Sequence, residues 1–267
     1  MKLQLVNARQ GALWVRRGAL LFFRRPMAFA GLFMVFLLTA FVLSLLPWIG
    51  PLLMLALLPL ASLGFMIASR TAIEGGLPTP RAFIVPLRGA PAERRAIIEL
   101  GVVYAAATFC ILWASDGVDG GALEALMDAL PASRDAPGVV ADKMADPRLG
   151  IGLLVRFGLA ALLAVPFWHA PALVHWGGQT AAKALFFSAV ACWRNRGAFM
   201  VYSLVWVALI LVFGVLANLV FALLGQAPLV ALVAMPASLV FSTIFYASLY
   251  ATFSDCFEAT LTPALSR

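Results

Sequence analysis

The chain has 267 residues, 63% of them hydrophobic and only 12% charged, about half the charged share of an ordinary soluble domain. With a mean hydropathy of +0.99, this composition excludes a water-soluble globule and leaves a lipid bilayer as the environment that hides the apolar surface. Nineteen Lys and Arg against twelve Asp and Glu give a net charge of +7, and because these cations flank apolar runs they read as topology determinants and contacts to anionic headgroups, not as a nucleic-acid surface.

In chain order, residues 1–26 carry Lys2, Arg9, Arg16, Arg17, Arg24 and Arg25. On a helical wheel four of these share a face with Val6, Leu13 and Leu20, so the amphipathic pattern is not clean. The expectation is a basic helix lying partly in the membrane interface and partly against a bundle, its Arg heads reaching phosphates. Met27 to Leu46 is a 20-residue apolar run, long enough to cross about 30 Å of hydrocarbon as a helix. Pro47 to Pro51 makes a short turn, and Leu52 to Ser69 returns, so residues 27–69 form a hairpin of spans one and two.

Arg70 to Arg95 is a polar connection with five Arg and four Pro. Residues 96–168 hold spans three and four around a hydrophilic segment, 114–150, whose local charge is −4. Within it Ala122 to Leu130 has good helix formers and stops at Pro131, which predicts a short surface helix. Asp116, Gly117, Asp119 and Gly120 resemble part of a calcium loop but lack its remaining ligands, so they read as solvated. Ala170 to Ala198, with Lys183, Arg194 and Arg196, reads as a second interfacial or re-entrant helix. Residues 199–253 supply a second hairpin, spans five and six. The fold class is therefore all-α: one membrane domain of six transmembrane helices with two interfacial basic helices. An even number of spans puts both termini on one side with 15 of the 19 cations, so the positive-inside rule places the termini in the cytoplasm and the acidic segment outside.

The unit of basic helix plus hairpin occurs twice. Phe23, Arg24, Arg25, Ala28 and Phe29 align with Trp193, Arg194, Asn195, Ala198 and Phe199, and Pro51 and Pro59 align with Pro228 and Pro236. This reads as a parallel internal repeat with spans three and four inserted between its copies. Pro59 and Pro236 would each kink a span and free the carbonyls of Leu55 and Leu232. A packing kink is the favoured reading, with a hinge or an ion-coordinating carbonyl as the other.

Polar side chains in or beside spans are the default candidates in a bilayer. Arg156 and Asn218 lie inside spans; Glu99, Lys183, Asp255 and Glu258 lie at span edges. Asp255 and Glu258 are placed to pair with Arg24, Arg25, Arg194 or Arg196 as structural ion pairs. His169 and His175, six apart beside Trp168 and Trp176, read as interfacial belt residues. Cys110, Cys192 and Cys256 have no CxxC spacing and read as buried thiols. No nucleophile elbow, phosphate loop or metal-ligand spacing occurs, so neither catalytic residues, cofactor nor metal are expected.

Several segments carry a family likeness: Trp14 with Phe23 to Pro26; Pro47 with Ile49 and Gly50; Pro59 with Gly64, Phe65 and Met66; Lys183 to Ser188; Cys192 to Asn195; and Ala247, Ser248, Tyr250 and Asp255 to Phe257. On these residues the chain resembles a family of polytopic inner-membrane proteins found mainly in betaproteobacteria. The resemblance implies the bacterial inner membrane and carries over no functional residues. The expected role is a non-catalytic accessory, scaffold or assembly subunit with a membrane-protein partner. The alternative is a small-molecule or lipid transporter with its site between the repeats, near Pro59, Pro236 and Asn218.

Overall fold

The computed structural model describes residues 2–132, 137–226 and 229–258. Arg134, Asp135 and Arg267, which enter the charge counts above, lie outside the described part, as do Pro228 and the side chain of Glu258. The chain is helical almost throughout, and six helices are long and apolar enough to cross a membrane. They are α2 (Pro26–Ser44), α3 (Ile49–Ile73), α4 (Pro91–Asp119), α7 (Pro147–Phe167), α10 (Arg196–Leu223) and α11 (Val230–Cys256). Three of them begin with Pro at the first turn, where the missing N–H costs nothing and the fixed φ favours helix. Asp146 adds a cap at α7, its Oδ1 accepting the Arg148 N–H at 2.9 Å.

Shorter helices complete the fold: α1 (Gln10–Arg24), α5 (Ala122–Ala129), α6 (Pro137–Met144), α8 (Ala170–His175) and α9 (Ala181–Arg194). The acidic segment is thus mostly helical, α5 occupying the stretch expected to be a surface helix. The 170–198 stretch is two helices instead of one, and Ala170 to Val174 of α8 are all buried. The polar connection after α3 is not a free loop. Two single turns of 3-10 helix, Pro80–Phe83 and Val85–Arg88, fold back so that Phe83 sits over Gly64 and its ring centroid lies 5.3 Å from that of Phe65.

The ends of the described chain meet. A two-residue strand β1 (Lys2–Leu3) pairs antiparallel with β2 (Phe257–Glu258), which follows α11 directly. That end, where the basic segments gather, also holds the core. In α10 the buried residues are Ala198, Tyr202 and Trp206, all within its first three turns. In α11 they begin at Thr243, and in α3, apart from Gly50, at Pro59. Toward the acidic end the helices present Leu, Val and Met outward, as lipid-facing surfaces do.

Aromatic rings tie the core together. Phe65 stacks on Tyr246 with centroids 4.7 Å apart, while Trp168 meets Phe199, Tyr202 and Phe245 edge-on. Hydroxyls satisfy themselves between helices: Ser69 Oγ donates to the Ala247 carbonyl at 3.1 Å, and Tyr202 Oη and Ser248 Oγ are 2.7 Å apart. The two triplets α1–α3 and α9–α11 repeat the order basic helix, span, span, yet pack differently. Helix α1 lies against α10 and α11, whereas α9 lies against α7 and α8.

Candidate functional site at the basic end

Helix α1 is amphipathic in an unusual way. Gly11, Trp14, Val15, Gly18 and Phe22 recur at helical spacing and are buried. The two glycines are where neighbouring backbones come closest: Gly11 abuts Ala198 and Tyr202 of α10, and Gly18 abuts Ile244 and Ser248 of α11. Between them the Trp14 ring is completely enclosed, 5.2 Å from Phe199 by centroid. A Cβ at either glycine would push the helices apart and expose that indole.

Asp255, near the end of α11, closes this contact. Its Oδ2 accepts the Trp14 indole N–H at 2.8 Å and a hydrogen bond from the Gln10 amide, and Arg17 Nη1 lies 2.9 Å from both carboxylate oxygens. A carboxylate is the acceptor that can serve three donors at once. Asn195, between α9 and α10, performs a comparable task for the leading strand. Its Oδ1 accepts the Val6 N–H at 2.9 Å, while Nδ2 donates to the Gln4 carbonyl at 3.0 Å and approaches Cys256 Sγ at 3.5 Å. The amide thereby reproduces the two hydrogen bonds a neighbouring strand would make.

A second polar junction joins α7, α8 and α9. Ser188 Oγ accepts the His169 backbone N–H at 2.9 Å and donates to the Val165 carbonyl at 3.1 Å, satisfying a carbonyl that the end of α7 leaves open. Cys192 Sγ approaches the same carbonyl at 3.6 Å, and burial pushes its thiol up to about 12, well away from nucleophilic character. The His169 ring is enclosed among Phe199, Phe253 and Phe257, and among the described residues neither nitrogen has a hydrogen-bond partner. His175 Nδ1 lies 2.6 Å from Glu93 Oε1, bridging α8 to the start of α4. Beside it the Arg70 guanidinium sits over the Trp176 ring at 5.7 Å.

These positions revise the expected ion pairs. The cation on Asp255 is Arg17, not Arg24, Arg25, Arg194 or Arg196. Arg25 instead donates to the carbonyls of Gly75 and Gly76, at 2.9 and 2.7 Å, because the end of α3 turns back beneath it. Arg196 lies over the Trp193 ring at 5.5 Å. Glu99 pairs with Arg95 one turn earlier. At the opposite end Arg156 reaches Ser115 Oγ at 3.0 Å and the Asp116 carboxylate, so a neighbouring helix receives its charge. Asn218 donates to the Gly214 carbonyl of its own helix and, like Pro236, faces outward. Pro59 is buried beside a cleft that neither Asn218 nor Pro236 lines. Gln10, Arg17, Glu93 and Ser188, none of them a candidate site residue from the sequence, make the connections. Their signal lies in which helices meet, which spacing along one chain does not contain.

Several clefts surround this region, one of about 350 Å³ beside Val165, Cys192 and Phe199 and three others. One of about 130 Å³ runs between α1, α3 and α11; another of about 180 Å³ lies beside Pro59, Tyr104 and Tyr246; a third of about 550 Å³ is bounded by Lys183, Phe186, Leu3 and Phe257. Among the described residues no three His, Cys, Asp or Glu side chains converge as a metal site would require.

No family model matches the chain, and no solved structure does. The chain is 40% identical over 260 residues to a probable inner membrane protein of Burkholderia thailandensis, an alignment covering 96% of this chain and 94% of that one. Such identity over nearly the full length of both, together with six helices apolar enough to span a bilayer, places the chain in the family of polytopic inner-membrane proteins to which that relative belongs.

Proposed function

We propose that the protein is a non-catalytic accessory or assembly subunit of an inner-membrane complex, its basic end in the cytoplasm and its acidic end in the periplasm. The observation that carries this reading is the outer part of the hairpin α10–α11. From Val207 to Leu223, about 25 Å of helix, no residue of α10 is buried, and its contact there is chiefly Phe213 against Phe241 of α11. Helices in lipid associate by side-chain packing, not by escape from water. The outer part of this hairpin contributes little to the core and therefore has its packing surface free for a second membrane protein. The polar groups at the basic end support the same reading, since the carboxylate of Asp255 and the amide of Asn195 are engaged in holding α1 and β1 in place. The orientation rests on the cation distribution.

The test is site-specific photo-crosslinking in native membranes, with a benzophenone side chain at Leu211 and at Val215, and at Leu154 of α7 as the lipid-facing control. A discrete protein adduct at the α10 sites and none at Leu154 supports the subunit reading; lipid adducts alone at all three sites oppose it. The cleft beside Pro59 favours a second reading, a transporter or lipid-handling protein. Solute or lipid movement by the purified chain in liposomes would establish that reading instead.

A further inference from the structure

We infer that the cleft between α1, α3 and α11 is a binding site for one anionic phospholipid. Its rim carries Arg17 and Arg24, two turns apart on α1, with the exposed Leu20 between them, and its floor is Leu21, Ile73 and Ala251. Arg24 stands two residues before Pro26, where α2 enters its apolar run. The rim therefore lies at headgroup depth and the floor at the start of the hydrocarbon, whichever way the bundle faces. A guanidinium is a bidentate phosphate ligand. Asp255 already partly neutralises Arg17, whereas among the described residues Arg24 makes no ion pair and stays exposed, so Arg24 is the principal phosphate ligand and Arg17 the secondary one. Tyr250 and Ser254 also border the cleft and offer hydroxyls to the glycerol region. The volume of about 130 Å³ accommodates the upper part of an acyl chain, not a whole lipid, so the rest of the tail continues into the surrounding bilayer. Free phosphate would leave the apolar floor unused. Basic grooves between transmembrane helices recognise anionic headgroups in this manner, and the inference holds whether or not the chain is an accessory subunit.

The experiment is native mass spectrometry of the full chain in mild detergent with added dioleoyl-phosphatidylglycerol or dioleoyl-phosphatidylcholine. Wild type should retain one phosphatidylglycerol and no stoichiometric phosphatidylcholine. R24Q should lower phosphatidylglycerol retention about five-fold, equivalent to roughly 1 kcal/mol. R16Q removes the same charge from an exposed position outside the cleft and should leave retention unchanged. L20W keeps every charge but obstructs the mouth of the cleft, and should also lower retention. Equal losses for R24Q and R16Q, or retention of phosphatidylcholine as well as phosphatidylglycerol, would overturn the site. Because Arg24 and Leu20 are exposed, neither variant threatens folding.

Discussion

Replacing Asp255 by Ala should be among the most damaging single changes outside the apolar core. The carboxylate serves Trp14, Gln10 and Arg17 together. Its removal leaves the indole N–H of a completely enclosed Trp14 without an acceptor, a cost of about 1–3 kcal/mol. Gln10 turns to water, and Arg17, with a side chain 42% exposed, loses an ion pair of about 0–1 kcal/mol after solvent screening. The sum is about 1–4 kcal/mol. At roughly 2–4 °C per kcal/mol for a chain near this size, the apparent midpoint of thermal unfolding in dodecylmaltoside should fall by roughly 2–16 °C. Asp255→Asn keeps one oxygen for Trp14 and should fall by about a third as much, and Arg17→Ala by less than about 3 °C. Tryptophan fluorescence against temperature reads all three. If Arg17→Ala matches Asp255→Ala, the ion pair and not the indole bond is what matters; if Asp255→Ala stays within about 2 °C of wild type, corresponding to under about 1 kcal/mol, the clasp is not a stabilising element at all.

Asn195→Ala removes the two side-chain hydrogen bonds to residues 4 and 6 and leaves the Gln4 N–H on the Cys256 carbonyl. At about 1 kcal/mol each, tryptic cleavage after Arg9 should quicken by up to about 30-fold, measured by mass spectrometry of limited digests. Gly64→Val places methyl groups where the Phe83 ring lies, which should cost about 1–3 kcal/mol, with Phe83→Ala in that background recovering most of the loss in the same melting assay. In a variant whose only cysteine is Cys192, burial and a thiol pushed up to about 12 should make maleimide labelling at pH 7.5 slower than in SDS-unfolded protein by at least about a hundred-fold. Comparable rates would show that α9 opens readily from α7.

The spans were legible because an apolar run of about 20 residues has one structural solution in lipid. Pro26, Pro91 and Pro147 then sharpen the starts that hydropathy alone blurs. Helix α1 was half legible. Attention to its cations obscured the stripe Gly11, Trp14, Val15, Gly18 and Phe22, whose spacing already marks a packing face. Reading small residues as contact positions, as transmembrane interfaces require, would have found it. The fold-back of residues 80–88 was hidden, since two prolines and two Arg describe an exposed loop equally well until Gly64 is seen to leave room for Phe83. The partner of Asp255 was illegible for a different reason. Arg17, Arg24 and Arg25 are equivalent as charges, and only the rotation of α1 fixed by its glycines selects Arg17.

The subunit role is tested most directly by solubilising native membranes in mild detergent at endogenous expression, then sizing the particle and determining its composition and stoichiometry by mass spectrometry. A particle well above the 28.5 kDa chain, containing a second membrane protein in fixed ratio and losing it when Leu211 and Val215 are replaced by Trp, is the expected result. A chain that runs alone or only with its own copies and lipid, and that moves a solute in liposomes, would contradict it.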